Sequence, residues 1–96
     1  MIEKTAQLFK MMSEPTRLSI LVLLDDKELS VSDIGQQLEL EQSVVSHQLQ
    51  KLKSNHFVKA RRDGKRMMYS HFDQHISNLI KQGLEHAMEK NEDDTI

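Results

Sequence analysis

Four residues near the carboxyl end of the chain have side chains that bind divalent metal ions, and these are Asp73, His75, His86 and Glu89. The two histidines lie eleven residues apart in the sequence. If this stretch is helical, that spacing is close to three turns, so both rings share one face and lie about 16 Å apart. Zinc ligands lie about 2 Å from the metal. One straight helix therefore cannot bring both histidines to the same ion.

An antiparallel copy of the same helix would remove this obstacle. If a two-fold axis crosses the helix near residues 80–81, Asp73 and His75 of one chain lie opposite His86 and Glu89 of the other. Two nitrogen and two carboxylate ligands suit tetrahedral zinc, with cobalt or nickel as alternatives. On spacing alone a second interpretation stays open, in which Asp73 caps the helix and the other three are ordinary surface residues. His71 is a further candidate ligand that spacing does not exclude.

Helices at both ends of the chain favour a homodimer. The helix that carries the candidate ligands is predicted over residues 73–90, with Ile76 and Ile80 in its apolar stripe. Gly83, in the same stripe, would let a partner helix approach closely. The first helix, predicted over residues 2–12, has an apolar surface broader than one neighbour would cover, although simple packing on its own core stays open.

A helix predicted between residues 41 and 54 has an unusual polar face. Val45, Leu49 and Leu52 recur at helical spacing and form its apolar stripe. Short hydrogen-bonding groups can read base edges in the major groove of DNA. A surface helix without a partner stays an alternative on this pattern alone. The polar face consists of Ser43, Ser46, His47, Gln50 and Ser54.

A shorter helix precedes the polar helix and completes a helix-turn-helix. Ser30 and Asp33 fit a capping box at its start, and the helix continues to Leu38. The linker is short, and its Leu40 is expected to pack into the core and so hold the turn there. Two short helices joined by a tight turn, the second carrying groove-reading residues, are typical of DNA-binding domains.

A basic hairpin is predicted behind the polar helix. Residues 57–62 and 65–72 flank Asp63-Gly64, which is a strong hairpin signal. A hairpin of this kind behind a helix-turn-helix is the wing of a winged helix, whose cations grip phosphates without reading sequence. The predicted DNA contacts are Gln42, Ser43, Ser46, His47, Gln50 and Lys51 in the helix, with Arg61, Arg62, Lys65 and Arg66 in the hairpin.

The distribution of charge supports a nucleic-acid partner. The chain has a net charge of −2, yet residues 42–71 hold seven Lys and Arg against one Asp. The acidic residues are concentrated before and after this segment. Positive charge is therefore concentrated in and just after the polar helix, as phosphate binding requires.

Composition bounds the remaining classes of function. The 96 residues predict a single domain with dimerisation helices at both ends, and no cysteine is present for disulfides or thiolate metal sites. No apolar run approaches a membrane span, and residues 1–4 have no signal-peptide pattern, so a cytoplasmic protein is expected. A zinc enzyme is disfavoured, because all four candidate ligand positions are filled by protein, which leaves none for water. The predicted fold class is mainly α with a small β-hairpin, a homodimeric winged helix-turn-helix.

The chain resembles the metal-responsive ArsR/SmtB repressors, and most closely their zinc-sensing branch. The resemblance implies a winged-helix homodimer that represses as the metal-free form and leaves operator DNA when zinc binds between the last helices. It covers residues 8–89 and rests on four motifs. These are SEPTRLSIL (13–21), QSVVSHQLQKL (42–52), VKARRDGK (58–65), and Asp-x-His, ten residues, then His-x-x-Glu (73–89).

Two departures from the family pattern refine this expectation. Ser30 and Ser32 stand where arsenic-, cadmium- and lead-sensing relatives have cysteines, so that soft-metal site is absent. Glu41 stands where relatives often have Ser, and its carboxylate would repel a nearby phosphate. The main rival is a winged-helix regulator controlled by a signal other than a metal.

Overall fold

A computed structural model describes residues 1–93, with side chains described for residues 1–89. The described residues form five helices and one three-stranded antiparallel sheet, whose strand order is β1-β3-β2. Within the described residues, no helix has both the length and the apolar character needed to cross a lipid bilayer. The elements are α1 (Ile2–Met12), α2 (Pro15–Leu23), β1 (Leu29–Ser30), α3 (Val31–Leu38), α4 (Gln42–Ser54), β2 (Val58–Asp63), β3 (Arg66–His71) and α5 (Gln74–Asp93).

The core forms around α2, which packs against α1, α3, α4 and α5. Ile20 and Leu21 of α2 are fully buried, as are Ile34 of α3 and Leu49 of α4. Such nearly complete burial of aliphatic side chains is the main favourable term in folding. The core therefore holds α3 and α4, the two helices of the helix-turn-helix, against α2.

Local capping starts the second and third helices. Glu14 precedes Pro15 and accepts hydrogen bonds from the backbone N–H groups of Thr16 and Arg17, at 3.0 and 2.9 Å. These hydrogen bonds, led by the one from Arg17, hold the pKa of Glu14 below its ordinary value. Both halves of the predicted capping box at the start of α3 are also present, at 3.1 Å each.

The hairpin is confirmed, but the position of its turn is corrected. Asp63 pairs with Arg66, so the two-residue loop is Gly64-Lys65 rather than Asp63-Gly64. Gly64 has φ +66°, and glycine first in a two-residue loop is the pattern of a type II′ turn. The sequence does not predict strand β1 (Leu29–Ser30), because two residues are too few to show an alternating pattern.

The two terminal helices leave apolar surface exposed. Phe9 of α1 is 52% exposed, and Leu84 and Met88 of α5 are 41% and 65% exposed. Phe9 and Leu84, together with Leu18, Leu79 and neighbouring groups, line an open apolar groove of about 480 Å³. Contiguous exposed apolar surface of this kind marks an interaction site.

Candidate nucleic-acid interface and metal ligands

Helix α4 presents the predicted reading residues to solvent. Val45, Leu49 and Leu52 are fully buried and fasten one side of the helix to the core. The opposite side is therefore directed away from the body. Glu41 occupies the N-cap position, but its side chain makes no capping hydrogen bond. All six predicted contacts in this helix are exposed, namely Gln42, Ser43, Ser46, His47, Gln50 and Lys51.

A close backbone contact sets the turn between α3 and α4. The Leu40 N–H donates a hydrogen bond to the Gly35 carbonyl at 2.9 Å. A Cβ at position 35 would lie 2.9 Å from the Leu40 carbonyl oxygen, closer than real Cβ atoms approach. Glu39 has φ +55° and ends α3 in the left-handed region. Leu40 is partly buried against the core, as predicted. Gly35 therefore permits the tight turn that orients the reading helix.

Arg17 links three helices and was missed by sequence reasoning. Its Nε donates to the Met11 carbonyl at the end of α1, at 2.8 Å. Its Nη1 donates to the Gln48 side-chain oxygen on α4, at 3.3 Å. Arg17 and Gln48 are 31 residues apart, so no local pattern could have revealed the contact. The guanidinium thereby ties the reading helix to the terminal helix.

The four predicted wing cations lie in two different environments. Arg61 is paired with Glu28, with Nη2 and Oε1 at 2.7 Å, and Arg66 lies 3.8 Å from Asp33. The hydrogen bond to Arg61 holds the pKa of Glu28 below its ordinary value, and the same contact raises the pKa of Arg61. In the part of the chain that the structure describes, neither Arg62 nor Lys65 has an acidic partner. These two residues lie at the exposed tip.

Asp73 immediately precedes α5, and the other three candidate metal ligands lie along that one continuous helix. Asp73 uses both carboxylate oxygens, because Oδ1 accepts from the Ile76 N–H at 3.1 Å and Oδ2 lies 3.4 Å from His75 Nδ1. Capping therefore occupies Oδ1, while Oδ2 is the oxygen on the side of His75. The His75 side chain is 94% exposed, and His86 and Glu89 are also exposed. Among the side chains described, those of residues 1–89, no group of three His, Asp or Glu could hold an ion within one chain.

His71 is not a free substitute ligand, since both of its ring nitrogens are engaged. It is 7% exposed, with Nε2 at 2.7 Å from the Leu21 carbonyl and Nδ1 at 2.8 Å from Ser77 Oγ. A carbonyl oxygen only accepts, so Nε2 carries the proton and donates it. The ring thus joins β3 to α2 and to the first turn of α5.

An ion-pair cluster, also unforeseen from the sequence, joins the middle of α5 to the turn after α2. Lys81 Nζ lies 3.3 Å from Asp26 Oδ2 and 3.8 Å from Asp25 Oδ1. The hydrogen bond to Asp26 is the main reason that the pKa of Lys81 is raised. Helix α5 is therefore held to the rest of the domain in two places. One is the ion pairs of Lys81, and the other is the hydrogen bond between His71 and Ser77.

A helix-turn-helix with an exposed polar second helix, followed by a basic hairpin, defines a winged-helix DNA-binding protein. The chain belongs to the arsR family of bacterial regulatory proteins, whose sequence pattern matches residues 14–60. Members of this family are transcription regulators, so this protein is not an enzyme.

Three relatives illustrate the range of the family. A transcriptional repressor SmtB homolog from Synechocystis is 36% identical over 91% of this chain, which spans 66% of that protein's length. A cadmium resistance regulatory protein, a CadC homolog from Staphylococcus aureus, is 34% identical, covering 88% of this chain and 70% of its own. The transcriptional activator HlyU of Vibrio cholerae is 33% identical, and the match covers 81% of this chain and 72% of HlyU.

One solved structure matches the fold closely. The homodimeric winged helix-turn-helix domain of Mb0332 from Mycobacterium bovis, described as a possible ArsR-family regulator, superposes with a TM-score of 0.87. The two sequences are 31% identical, and the match covers 95% of this chain and 84% of that one. The winged-helix architecture is therefore confirmed.

Proposed function

We propose that this chain is a zinc-responsive repressor that binds operator DNA as a metal-free homodimer and leaves it when zinc binds. The observation that carries the proposal is the arrangement of ligands on α5. Asp73 and His75 lie together at one end, and His86 and Glu89 lie about three turns further along the same helix. Each pair is half of a tetrahedral zinc site. Cobalt or nickel would be accepted by the same donor set.

Dimerisation through α1 and α5 would complete each half-site. Phe9, Leu84 and Met88 are exposed on these helices, and burying them against a second copy removes apolar surface from water. The homodimeric state of the Mb0332 domain supports the same assembly. Each chain would contribute as a single domain, acting in the cytoplasm.

The DNA-binding surface of the dimer would be two copies of α4 and two wings. A symmetric dimer places its two reading helices in successive major grooves, about one helical turn of DNA apart. Ser43, Ser46, His47 and Gln50 would meet base edges, with Gln42 and Lys51 beside them. Cations at the tip of the wing would contact the phosphate backbone.

Zinc would act by changing the geometry of the dimer. Joining Asp73 and His75 of one α5 to His86 and Glu89 of the other fixes how the two chains are oriented. If the fixed orientation fits two successive grooves poorly, metal and DNA compete for the conformation of the protein. Couplings of this kind are typically about 1–3 kcal/mol, which corresponds to about 5- to 150-fold in DNA affinity.

The proposal is tested by fluorescence anisotropy of labelled promoter DNA, titrated with the protein in chelator and then in zinc. Wild type is expected to bind in chelator and to lose at least fivefold in affinity with zinc. His86→Ala should bind equally in both conditions. Glu85→Ala, a neighbouring exposed change that removes no proposed ligand, should respond like wild type. If His86→Ala is still released by zinc, the site is assigned wrongly.

A second function is favoured by one specific comparison. HlyU is described as a transcriptional activator, so relatives at this level of identity differ in regulatory outcome. The alternative is a winged-helix regulator controlled by a signal other than a metal. It predicts that wild type and His86→Ala bind promoter DNA equally well with and without zinc.

A further inference from the structure

An ion pair crosses the sheet that forms the wing. Arg61 lies on β2, and Glu28 immediately precedes β1, which is on the opposite edge because β3 runs between them. Arg61 Nε donates to Glu28 Oε2 at 2.8 Å and to Oε1 at 3.0 Å, while Nη2 donates to Oε1 at 2.7 Å. The contact thus spans all three strands.

The strand register gives this contact a defined face of the sheet. Arg61 is opposite Met68, and Met68 is opposite Ser30, so the three side chains share one face. Met68 is only 8% exposed, although it lies outside the main core cluster. A weaker link lies on the other wing strand, where Arg66 approaches Asp33 at the start of α3 to 3.8 Å. Each wing strand therefore has one arginine directed back to the body.

The Glu28 carboxylate partly neutralises the Arg61 guanidinium and fixes its orientation. Two of its three nitrogens already donate to Glu28, in the forked geometry that suits arginine and carboxylate. Nη1 makes no hydrogen bond within the described residues, but a phosphate that approached it would also meet the Glu28 carboxylate, so Arg61 attracts phosphate less strongly than an unpaired cation does. Arg62 and Lys65 are nearer the tip, and among the side chains of residues 1–89 neither has an acidic partner to release.

We infer that Arg61 and Glu28 form a strut that sets the angle of the wing, while Arg62 and Lys65 make its phosphate contacts. The inference rests on the proposed function in one respect, since it requires the wing to meet DNA. Arg61 is then a positioning residue, and the sequence-based expectation of four equivalent wing cations is replaced by a division into struts and contacts.

The salt dependence of DNA binding separates a strut from a contact. Each phosphate contact contributes about 0.9 to the slope of log K against log salt, so losing one from both wings of a dimer lowers the slope by about 1.8. Arg62→Gln and Lys65→Gln in metal-free protein should show this loss. Arg61→Gln should weaken binding with a slope change less than half as large. An equal or larger slope change for Arg61→Gln overturns the inference.

A charge swap tests the same point by rescue. Arg61→Glu alone should weaken binding, because it sets two carboxylates against each other. The double variant Glu28→Arg with Arg61→Glu restores an ion pair of reversed polarity and should recover most of the lost affinity. Glu28→Arg also adds positive charge, so its effect on affinity in the Arg61→Glu protein is compared with its effect in wild type. If the two effects are equal, no ion pair has been restored and the strut is excluded.

Hydrogen exchange provides a measurement that does not depend on DNA. Arg61→Gln should speed amide exchange across β2 and β3, because the hairpin loses its tie to the β1 edge. Arg62→Gln is the matched control and should leave exchange unchanged. Equal exchange in both variants would refute the strut even if the protein binds DNA. Faster exchange only in Arg61→Gln would support it even if the proposed metal response failed.

Discussion

Replacing Gly35 by Ala should destabilise this protein, although the same change in most helices is stabilising. Alanine is favoured over glycine by about 1 kcal/mol in a helix interior. Here the new Cβ would lie 2.9 Å from the Leu40 carbonyl oxygen, and a backbone atom cannot move aside as a flexible side chain can. Overpacking of this kind costs about 1–3 kcal/mol. The net loss in the free energy of unfolding is therefore expected to be about 1 kcal/mol.

Urea unfolding followed by circular dichroism measures this loss, at one fixed protein concentration because the stability of a dimer depends on it. A loss of about 1 kcal/mol lowers the midpoint by about 0.3–1 M urea. Gln36→Ala, one residue further along and exposed, is the matched control and should change stability by less than about 0.5 kcal/mol. Gly35→Ala equal to wild type or more stable would refute the reasoning.

Three further predictions concern the caps and the junction of the helices. Ser30→Ala removes the hydroxyl that accepts from the Asp33 N–H and should cost about 1 kcal/mol in thermal unfolding; an unchanged midpoint would show that the cap is not needed. Arg17→Gln should weaken promoter binding in anisotropy assays without changing its salt slope, because it frees Gln48 rather than a phosphate contact; a lower slope would make Arg17 a contact. The lowered pKa of Glu14 means that its stabilisation is present above its ordinary pKa of 4.5 and is lost as pH falls through the folded value. Glu14→Gln should therefore flatten the acid side of the stability profile, and a parallel profile would contradict that cause.

The helix-turn-helix could be predicted from the sequence because each of its determinants is local. The capping box needs only residues 30 and 33, and the buried stripe of α4 follows from helical spacing. Asp63-Gly64 predicts the hairpin, yet it places the turn one residue too early. The choice between neighbouring turns depends on strand register, which is fixed by pairing with β1 as well as by the loop.

Contacts distant in sequence could not be predicted in this way. Arg61 and Glu28 are 33 residues apart, and Lys81 and Asp26 are 55 apart. Nothing in composition or periodicity distinguishes a paired arginine from a solvated one. His71 shows the same limit, since its burial against α2 depends on tertiary packing.

The metal ligands pose a different difficulty, because half of each proposed site belongs to another chain. Spacing on α5 excludes a site within one helix, and the structure leaves both pairs exposed. The proposed alignment of the ligand pairs across two chains would follow from dimer geometry rather than from any pattern within one chain.

The most direct test of a shared site is subunit complementation. One variant carries Asp73→Ala and His75→Ala, and the other carries His86→Ala and Glu89→Ala. Neither homodimer has a complete site, whereas a mixed dimer regains one site from the intact pair of each chain. Random exchange should restore about a quarter of the wild-type capacity, because half of the dimers are mixed and each has one site of two. Zinc measured by competition with a chromophoric chelator is expected to bind the mixture and neither variant alone. Zinc binding to either variant alone at wild-type affinity, or none after exchange, would contradict the site between subunits.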